Sequence, residues 1–162
     1  VDIADAIFFK GGTMSPSSVR VDSITKEKAH ILARCGLKSV TMGIEAGSEK
    51  LRFTLGKMFG NDTIINVAKI LSNEGIRNLK LYFIIGLPDE TDADIDAMLQ
   101  LASNIKISSG CKIEMSVSSF VPKPRTPFAN NFFAGEKYLK AVQKKIKSKI
   151  SNMGGVRVSF EP

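Results

Sequence analysis

At 162 residues, with 43% hydrophobic residues and a formal charge of +7, the chain is long enough for one sizeable core beneath a basic surface. No apolar run approaches the roughly 20 residues that span a bilayer, and this hydrophobic content is not that of a disordered chain, so both classes are excluded. The two cysteines, Cys35 and Cys111, are too far apart for a metal-ligand spacing and form no disulfide framework.

Each cysteine reads as a small buried hydrophobe in a reducing compartment, and the cytoplasm is the expected location. No signal-peptide pattern precedes the first elements. The chain begins at Val1 without an initiator methionine, inside what reads as a helix, "DIADAIFF", so it is expected to be a piece of something larger. "SSVRV", Ser17 to Val21, then reads as a short strand and "TKEKAHILARCG" as a helix ending at Gly36. "KSVTMGI" is a strand, followed by a short helix from Ser48 to about Leu55. In "DTIINVAKILSNEG" Ile65, Ala68, Ile70 and Leu71 fall near one helical face, with Gly75 as the stop. "LKLYFII" reads as a strand buried on both faces, "DADIDAMLQLASNI" as a helix whose opening acids suit its dipole, and "KIEMSVSSFV" as another strand. "PKPRTPFANNFFAGE" is a loop by composition. A helix over 134–151 and a last strand, "VRVSF", close the chain.

Strands alternating with helices predict an α/β fold of parallel strands and crossover helices, an open sheet or a barrel. A closed eight-stranded barrel needs about 250 residues, so the chain is either a small open sheet or the later part of a larger, TIM-barrel-like fold. Half a barrel would expose an edge strand and an apolar seam, and self-association is expected of it. The charge concentrates in the last helix, where six lysines (137, 140, 144, 145, 147 and 149) face one acid, Glu136. Leu139, Val142, Ile146 and Ile150 form its inward stripe. The lysines are either a solvated face or a contact for tRNA or another nucleic acid, although Tyr138 is the one aromatic among them and no set of aromatics interleaves as stacking platforms.

In parallel α/β folds ligands sit at the carboxyl ends of the strands. Those ends carry Arg20-Val21-Asp22, Glu45-Ala46-Gly47-Ser48, "GLPDET" from Gly86 and "SSFVPKP" from Ser118. Glu45 can accept two hydroxyl hydrogen bonds, as a ribose diol requires, or form a structural salt bridge with Arg20. Gly47 permits close backbone approach and Ser48 can cap the next helix. Lys57, twelve residues beyond Glu45, can reach the same cleft as a point charge for a ligand carboxylate, or remain a solvated helix-end charge. The backbone at Ile85 and Gly86 can pack on a flat ring, with Phe120 and Val121 offering an apolar wall and main-chain hydrogen bonds. His30, the single histidine, sits in a helix pattern with no triad partner, and phosphate-loop and dinucleotide fingerprints are missing.

Taken in order, "GIEAGSEKLRFTLGK", "LKLYFIIGLPDET" and "VSSFVPKPRTPF" resemble the radical S-adenosylmethionine (SAM) superfamily, nearest its cobalamin-binding-type and tRNA methylthiotransferase-like branches. The likeness runs from about Ser15 to Phe128. It implies the later part of a partial barrel over residues 1–128, with 129–162 as a C-terminal extension. It implies an enzyme that reductively cleaves SAM to a 5′-deoxyadenosyl radical, with cobalamin as an optional further cofactor. By resemblance Glu45, with Ser48 beside it, binds the ribose and Lys57 the methionyl carboxylate. Ile85 and Gly86 lie in the adenine-lining motif, Phe120 and Val121 touch the same ring, and Arg20 faces the cleft. Two departures stand out. Superfamily members hold a 4Fe–4S cluster through a CxxxCxxC loop, which this chain lacks, so the cluster ligands are expected outside it. After "RTPF" comes Ala129-Asn130 where related enzymes carry Gln-Trp, and the chain has no tryptophan. The competing expectation is a basic α/β module that binds RNA without catalysis.

Overall fold

The computed structural model describes residues 6–7, 9–12 and 16–161; the expected helix at "DIADAIFF" lies largely outside them. Four strands, β1 (Ser39–Glu45), β2 (Asn78–Ile85), β3 (Lys112–Ser119) and β4 (Val156–Phe160), pair in the order 1-2-3-4. All three pairings are parallel. Helices α1 (Lys26–Arg34), α2 (Glu49–Thr54), α3 (Asn61–Asn73), α4 (Asp92–Ser109) and α5 (Glu136–Ile150) supply the connections. This is the α/β fold of parallel strands and crossover helices that the alternating pattern predicts. Consecutive parallel strands joined by helices of one hand place those helices on one face of the sheet.

That face holds the core. Val40, Met42 and Ile44 of β1, Leu79, Leu81, Phe83 and Ile85 of β2, and Ile113, Met115 and Val117 of β3 pack in one cluster against the apolar stripes of α3, α4 and α5. The opposite face is polar and open: Thr41, Lys80, Glu114 and Arg157 stand in register across it. Lys80 lies 3.6 Å from Glu114 and its ammonium 5.4 Å from the centre of the Tyr82 ring. The expectation that "LYFII" is buried on both faces is therefore corrected. Its burial alternates and Tyr82 is 37% exposed, because the apolar body of a tyrosine and the isoleucine Ile84 conceal a two-sided strand in the sequence.

The "SSVRV" strand is also corrected. Val19 makes a single parallel bridge to Met42, and the chain then curls into a 3-10 turn at Val21–Ser23. The curl is favoured locally, since Ser23 Oγ donates to the Arg20 carbonyl (2.8 Å) and Thr25 caps α1 through the Lys28 N–H (3.2 Å). Residues after 128 form a further strand–helix unit of the same sheet: Leu139, Val142, Ile146, Ile150 and Val156 join the main core.

Two turns at the carboxyl end of the sheet have structural causes. Gly47 lies directly on the backbone of α4: an added Cβ would meet Asp94 O at 2.5 Å, Met98 Cα at 2.6 Å and the Met98 N. Gly86, at φ 78°, lies under α5, where a Cβ would meet Ala134 Cβ and Leu139 Cδ2 at 2.9 Å. Its N–H donates to Glu90 Oε1 (2.8 Å), which also accepts the Tyr138 hydroxyl of α5 (2.8 Å). Burial pushes the Glu90 carboxyl above its ordinary range, and burial together with Glu90 raises the Tyr138 phenol above its own.

The Gly47→Ala substitution is expected to cost about 1–3 kcal/mol of stability, since the obstructing atoms are helix backbone; a urea titration measures it. An acid whose pKa rises on folding contributes stability that is present below its unfolded value, near pH 4 for glutamate, and lost as pH rises through the folded value. Glu90→Gln keeps the acceptor oxygen without the charge. It is expected to flatten the decline in urea midpoint as the pH rises above about 4; a variant with an unaltered pH profile would show that Glu90 does not carry that decline.

Candidate functional site

At the end of β1 the register shifts between Gly43 and Glu45, and Glu45 takes a left-handed φ of 72°. Such an irregularity re-aims a side chain and ends pairing. A left-handed non-glycine residue costs about 1–3 kcal/mol and persists only where its surroundings over-determine it. Here the carboxylate folds back over Gly43, where an added Cβ would lie 2.9 Å from Glu45 Oε1 and 3.8 Å from Lys57 Nζ. Glu45 Oε1 and Lys57 Nζ are 3.3 Å apart, both partly exposed.

Lys57 reaches this position because α2 stops abruptly. Gly56 at φ 76° follows the helix, its N–H donating to the Phe53 carbonyl (2.9 Å), and the Lys57 N–H donates to the Arg52 carbonyl (3.0 Å). These two bonds form a glycine C-terminal motif that reverses the chain. An open cavity of about 350 Å³ beside Glu45 is lined by Tyr82, Phe83, Ile84, Ser116, Ser118 and Glu161. Above it Ala46, Leu51, Leu87 and Phe120 form a small apolar cluster, with Ile84 and Phe128 packed against it. Phe120 meets Phe128 edge to face at 6.0 Å, and its N–H donates to the Ile85 carbonyl (2.8 Å).

Of the residues expected from sequence, the structure brings together Glu45 and Lys57, while Phe120 packs in the apolar cluster that contains Ala46, the residue after Glu45. Val121 follows Phe120 at 56% exposure. Ser48 is the N-cap of α2, accepting from the Leu51 N–H (3.2 Å), and its hydroxyl also bonds Asp94. Burial opposes ionisation of Asp94, but hydrogen bonds from Ser48 and Thr91 outweigh it and hold the carboxyl below its ordinary range. Ile85 is buried in the main core, and a Cβ on Gly86 would meet Ala134 and Leu139. Arg20 chelates Asp22 through Nε (3.1 Å) and Nη2 (2.7 Å) with a side chain 75% exposed, and the alternative of a salt bridge between Arg20 and Glu45 is corrected, since the partner of Glu45 is Lys57. The Arg20 hydrogen bonds outweigh burial and hold Asp22 below its ordinary range, and Lys57 acts on it in the same direction.

Sequence reasoning missed Gly43, Arg52 and Glu90. Gly43 carried a usable signal, since a glycine two places before a strand-end glutamate shares its face and can cradle it. His30 pairs with Glu74 at 2.8 Å on the surface. Two cysteines cannot supply the thiolates of a 4Fe–4S cluster; both are buried, and Cys111 Sγ donates to the Ile76 carbonyl (3.3 Å). Among the described residues no group of three or more His, Cys, Asp or Glu side chains could hold a metal, and no helix is long and apolar enough to cross a membrane.

Comparison with known proteins gives this site its context. The model of the radical SAM superfamily matches residues 10–102. An uncharacterized protein of Methanocaldococcus jannaschii is 33% identical over 99% of this chain and 35% of its own length. An uncharacterized methyltransferase of Pyrococcus horikoshii is 30% identical over 66% of the chain and 23% of its own length. The tRNA-2-methylthio-N(6)-dimethylallyladenosine synthase of Ehrlichia ruminantium is 28% identical over 63% of the chain and 22% of its own length. The chain thus spans about a third or less of the curated relatives it matches. Among solved structures, SuiB of Streptococcus suis, free and bound to S-adenosylmethionine, shares the fold with a TM-score of 0.66 at 13% identity; the alignment covers 99% of this chain and 35% and 36% of SuiB respectively. On the family match, with the parallel α/β fold in agreement, the chain belongs to the radical SAM superfamily.

Proposed function

We propose that this chain is the SAM-binding part of a radical SAM enzyme, with Glu45 accepting the ribose hydroxyls and Lys57 meeting the methionyl carboxylate. The observation that carries this reading is the re-aimed Glu45, cradled by Gly43 and held 3.3 Å from Lys57 at a strand end. A carboxylate accepts from a diol and an ammonium pairs with a carboxylate, so each group of the ion pair is suited to one end of the same ligand. Phe120 and the apolar residues around it offer a wall for the adenine, and the exposed Val121 follows it in the chain. In this reading Ile85 and Gly86 act indirectly, one fixing Phe120 through its carbonyl and the other seating the turn beneath α5. Ser48 sets the start of α2, and Arg20 with Asp22 forms the rim.

SAM, when bound and given one electron, supplies methionine and a 5′-deoxyadenosyl radical by cleavage of its S–C5′ bond. The residues present do not fit the cluster that would deliver the electron, so its ligands are assigned outside these 162 residues. Cobalamin use follows only from the sequence resemblance, and no residue here is assigned to it.

Isothermal titration of the intact protein with SAM tests the reading. Glu45→Gln and Lys57→Met are each expected to weaken binding about tenfold, the loss of a charge-assisted contact. Gly43→Ala, which displaces the Glu45 carboxylate, is expected to weaken it in the same direction. Affinities within about twofold of wild type for both charge variants would overturn the assignment.

A second reading, an RNA partner, is favoured by a specific observation. Lys137, Lys144 and Lys149 of α5 are exposed, while Lys140 pairs with Glu136, Lys145 with Asp92 and Asp96, and Lys147 stacks on Phe160. The relative from Ehrlichia ruminantium is named for a tRNA product, which accords with a nucleic-acid substrate. Three phosphate contacts on a single strand predict a log–log salt slope near −2, abolished by changing all three lysines to glutamine. A tRNA affinity independent of those lysines would remove α5 as the contact.

A further inference from the structure

Among the described residues Arg52 is the charged side chain that is fully buried, at 0% exposure. Its guanidinium donates from Nε to the Phe59 carbonyl (3.1 Å), from Nη1 to the Ala46 carbonyl (3.0 Å), and from Nη2 to Asn61 Oδ1. The Phe59 ring lies 5.8 Å from the guanidinium carbon. No carboxylate is among its hydrogen-bond acceptors. Glu49 influences it through space and accepts the Asn61 N–H at 2.6 Å. A guanidinium buried without a hydrogen-bonded counter-charge is an expensive way to fill space in a six-residue helix, where an apolar side chain would pack without desolvation cost.

The positions of its acceptors explain the choice. Ala46 directly follows Glu45, and Phe59 lies two residues after Lys57. The Arg52 carbonyl accepts the Lys57 N–H (3.0 Å), and the Phe59 N–H closes a tight turn onto the Lys57 carbonyl (2.9 Å). One residue thus binds the end of β1 just past Glu45 and the loop on both sides of Lys57. A planar guanidinium presents its donors in a fixed fork, so the carbonyls it joins are held at set separations.

We propose that Arg52 is a positioning residue that fixes Lys57 relative to Glu45, and through it the discrimination for the carboxylate of SAM. The inference rests on the SAM reading of the Glu45–Lys57 pair. It extends that reading to a buried residue that touches neither ligand nor reacting atoms.

The test measures, on the intact protein, the ratio of affinities for SAM and for decarboxylated SAM, which keeps the sulfonium, ribose and adenine. Lys57→Met is expected to lower this ratio about tenfold. Arg52→Lys keeps the charge but places all its donors on one nitrogen and cannot span the three acceptors as the guanidinium fork does, and is expected to lower the ratio to a similar extent. The double variant is expected to match Lys57→Met alone, because a misplaced loop no longer matters once the ammonium is gone. A residue that only supports the fold would weaken both ligands equally and leave the ratio at its wild-type value, which would overturn the inference. Asn61→Ala, which removes one of the three acceptors, carries the same measurement should Arg52→Lys not fold; an unchanged ratio there would likewise overturn it. If Lys57→Met itself leaves the ratio unchanged, the carboxylate assignment fails and the Arg52 inference falls with it. That result is distinct from a ratio lowered by Lys57→Met and unmoved by Arg52→Lys, which rejects Arg52 alone.

Discussion

The left-handed turn of the backbone at Glu45 organises the carboxyl end of this sheet. In an undisturbed strand, Glu45 would stand on the same face as Gly43, two residues further along. The register shift brings its carboxylate back over Gly43 and within 3.3 Å of Lys57. Holding that conformation requires the next residues to be anchored, and they are: the Ala46 carbonyl is held by Arg52, Gly47 rests on the backbone of α4, and Ser48 caps α2 while bonding Asp94. Local strain at the tip is thus offset by packing and hydrogen bonding in the three residues that follow, which is how a strained residue persists.

The sheet's two faces differ in character. Burial against α3, α4 and α5 takes up every second residue of the strands, and the other set, from Thr41 and Lys80 to Glu114 and Arg157, remains polar and open. In a closed barrel such a face lines the interior, where polar side chains select what enters. Here it leads from the charged ladder in mid-sheet to the cavity beside Glu45, where Ser116 bonds Glu161 at 3.1 Å.

Much of this was legible in the sequence, and what was not has definite causes. Strand–helix alternation announced the parallel α/β fold, and the strand-end glutamate with a lysine beyond the short helix marked the pair that meets. The conformation of "SSVRV" was hidden because a β-favouring composition cannot register the competing bonds within Arg20–Asp22 and from Ser23. "LYFII" misled because Tyr82 and Ile84 are apolar by type yet lie on the open face. Ile85 and Gly86 sit in the right motif, but whether a side chain faces ligand or core depends on α5, which lies about fifty residues further along the chain. Arg52 was illegible for a different reason. Two residues after Lys50 in a short helix it reads as surface charge, and only the loop through Phe59 and Asn61 folding over it makes it buried.

The superfamily assignment rests on the family match over residues 10–102, whereas the residue assignments rest on geometry at one strand end. The decisive measurement is a crystal structure of the intact protein with SAM bound. The account predicts that the Glu45–Lys57 ion pair opens, the Glu45 carboxylate taking the ribose hydroxyls and the Lys57 ammonium the methionyl carboxylate, with the adenine against Phe120. SAM bound elsewhere on the sheet, or bound with the Glu45–Lys57 contact intact, would contradict it.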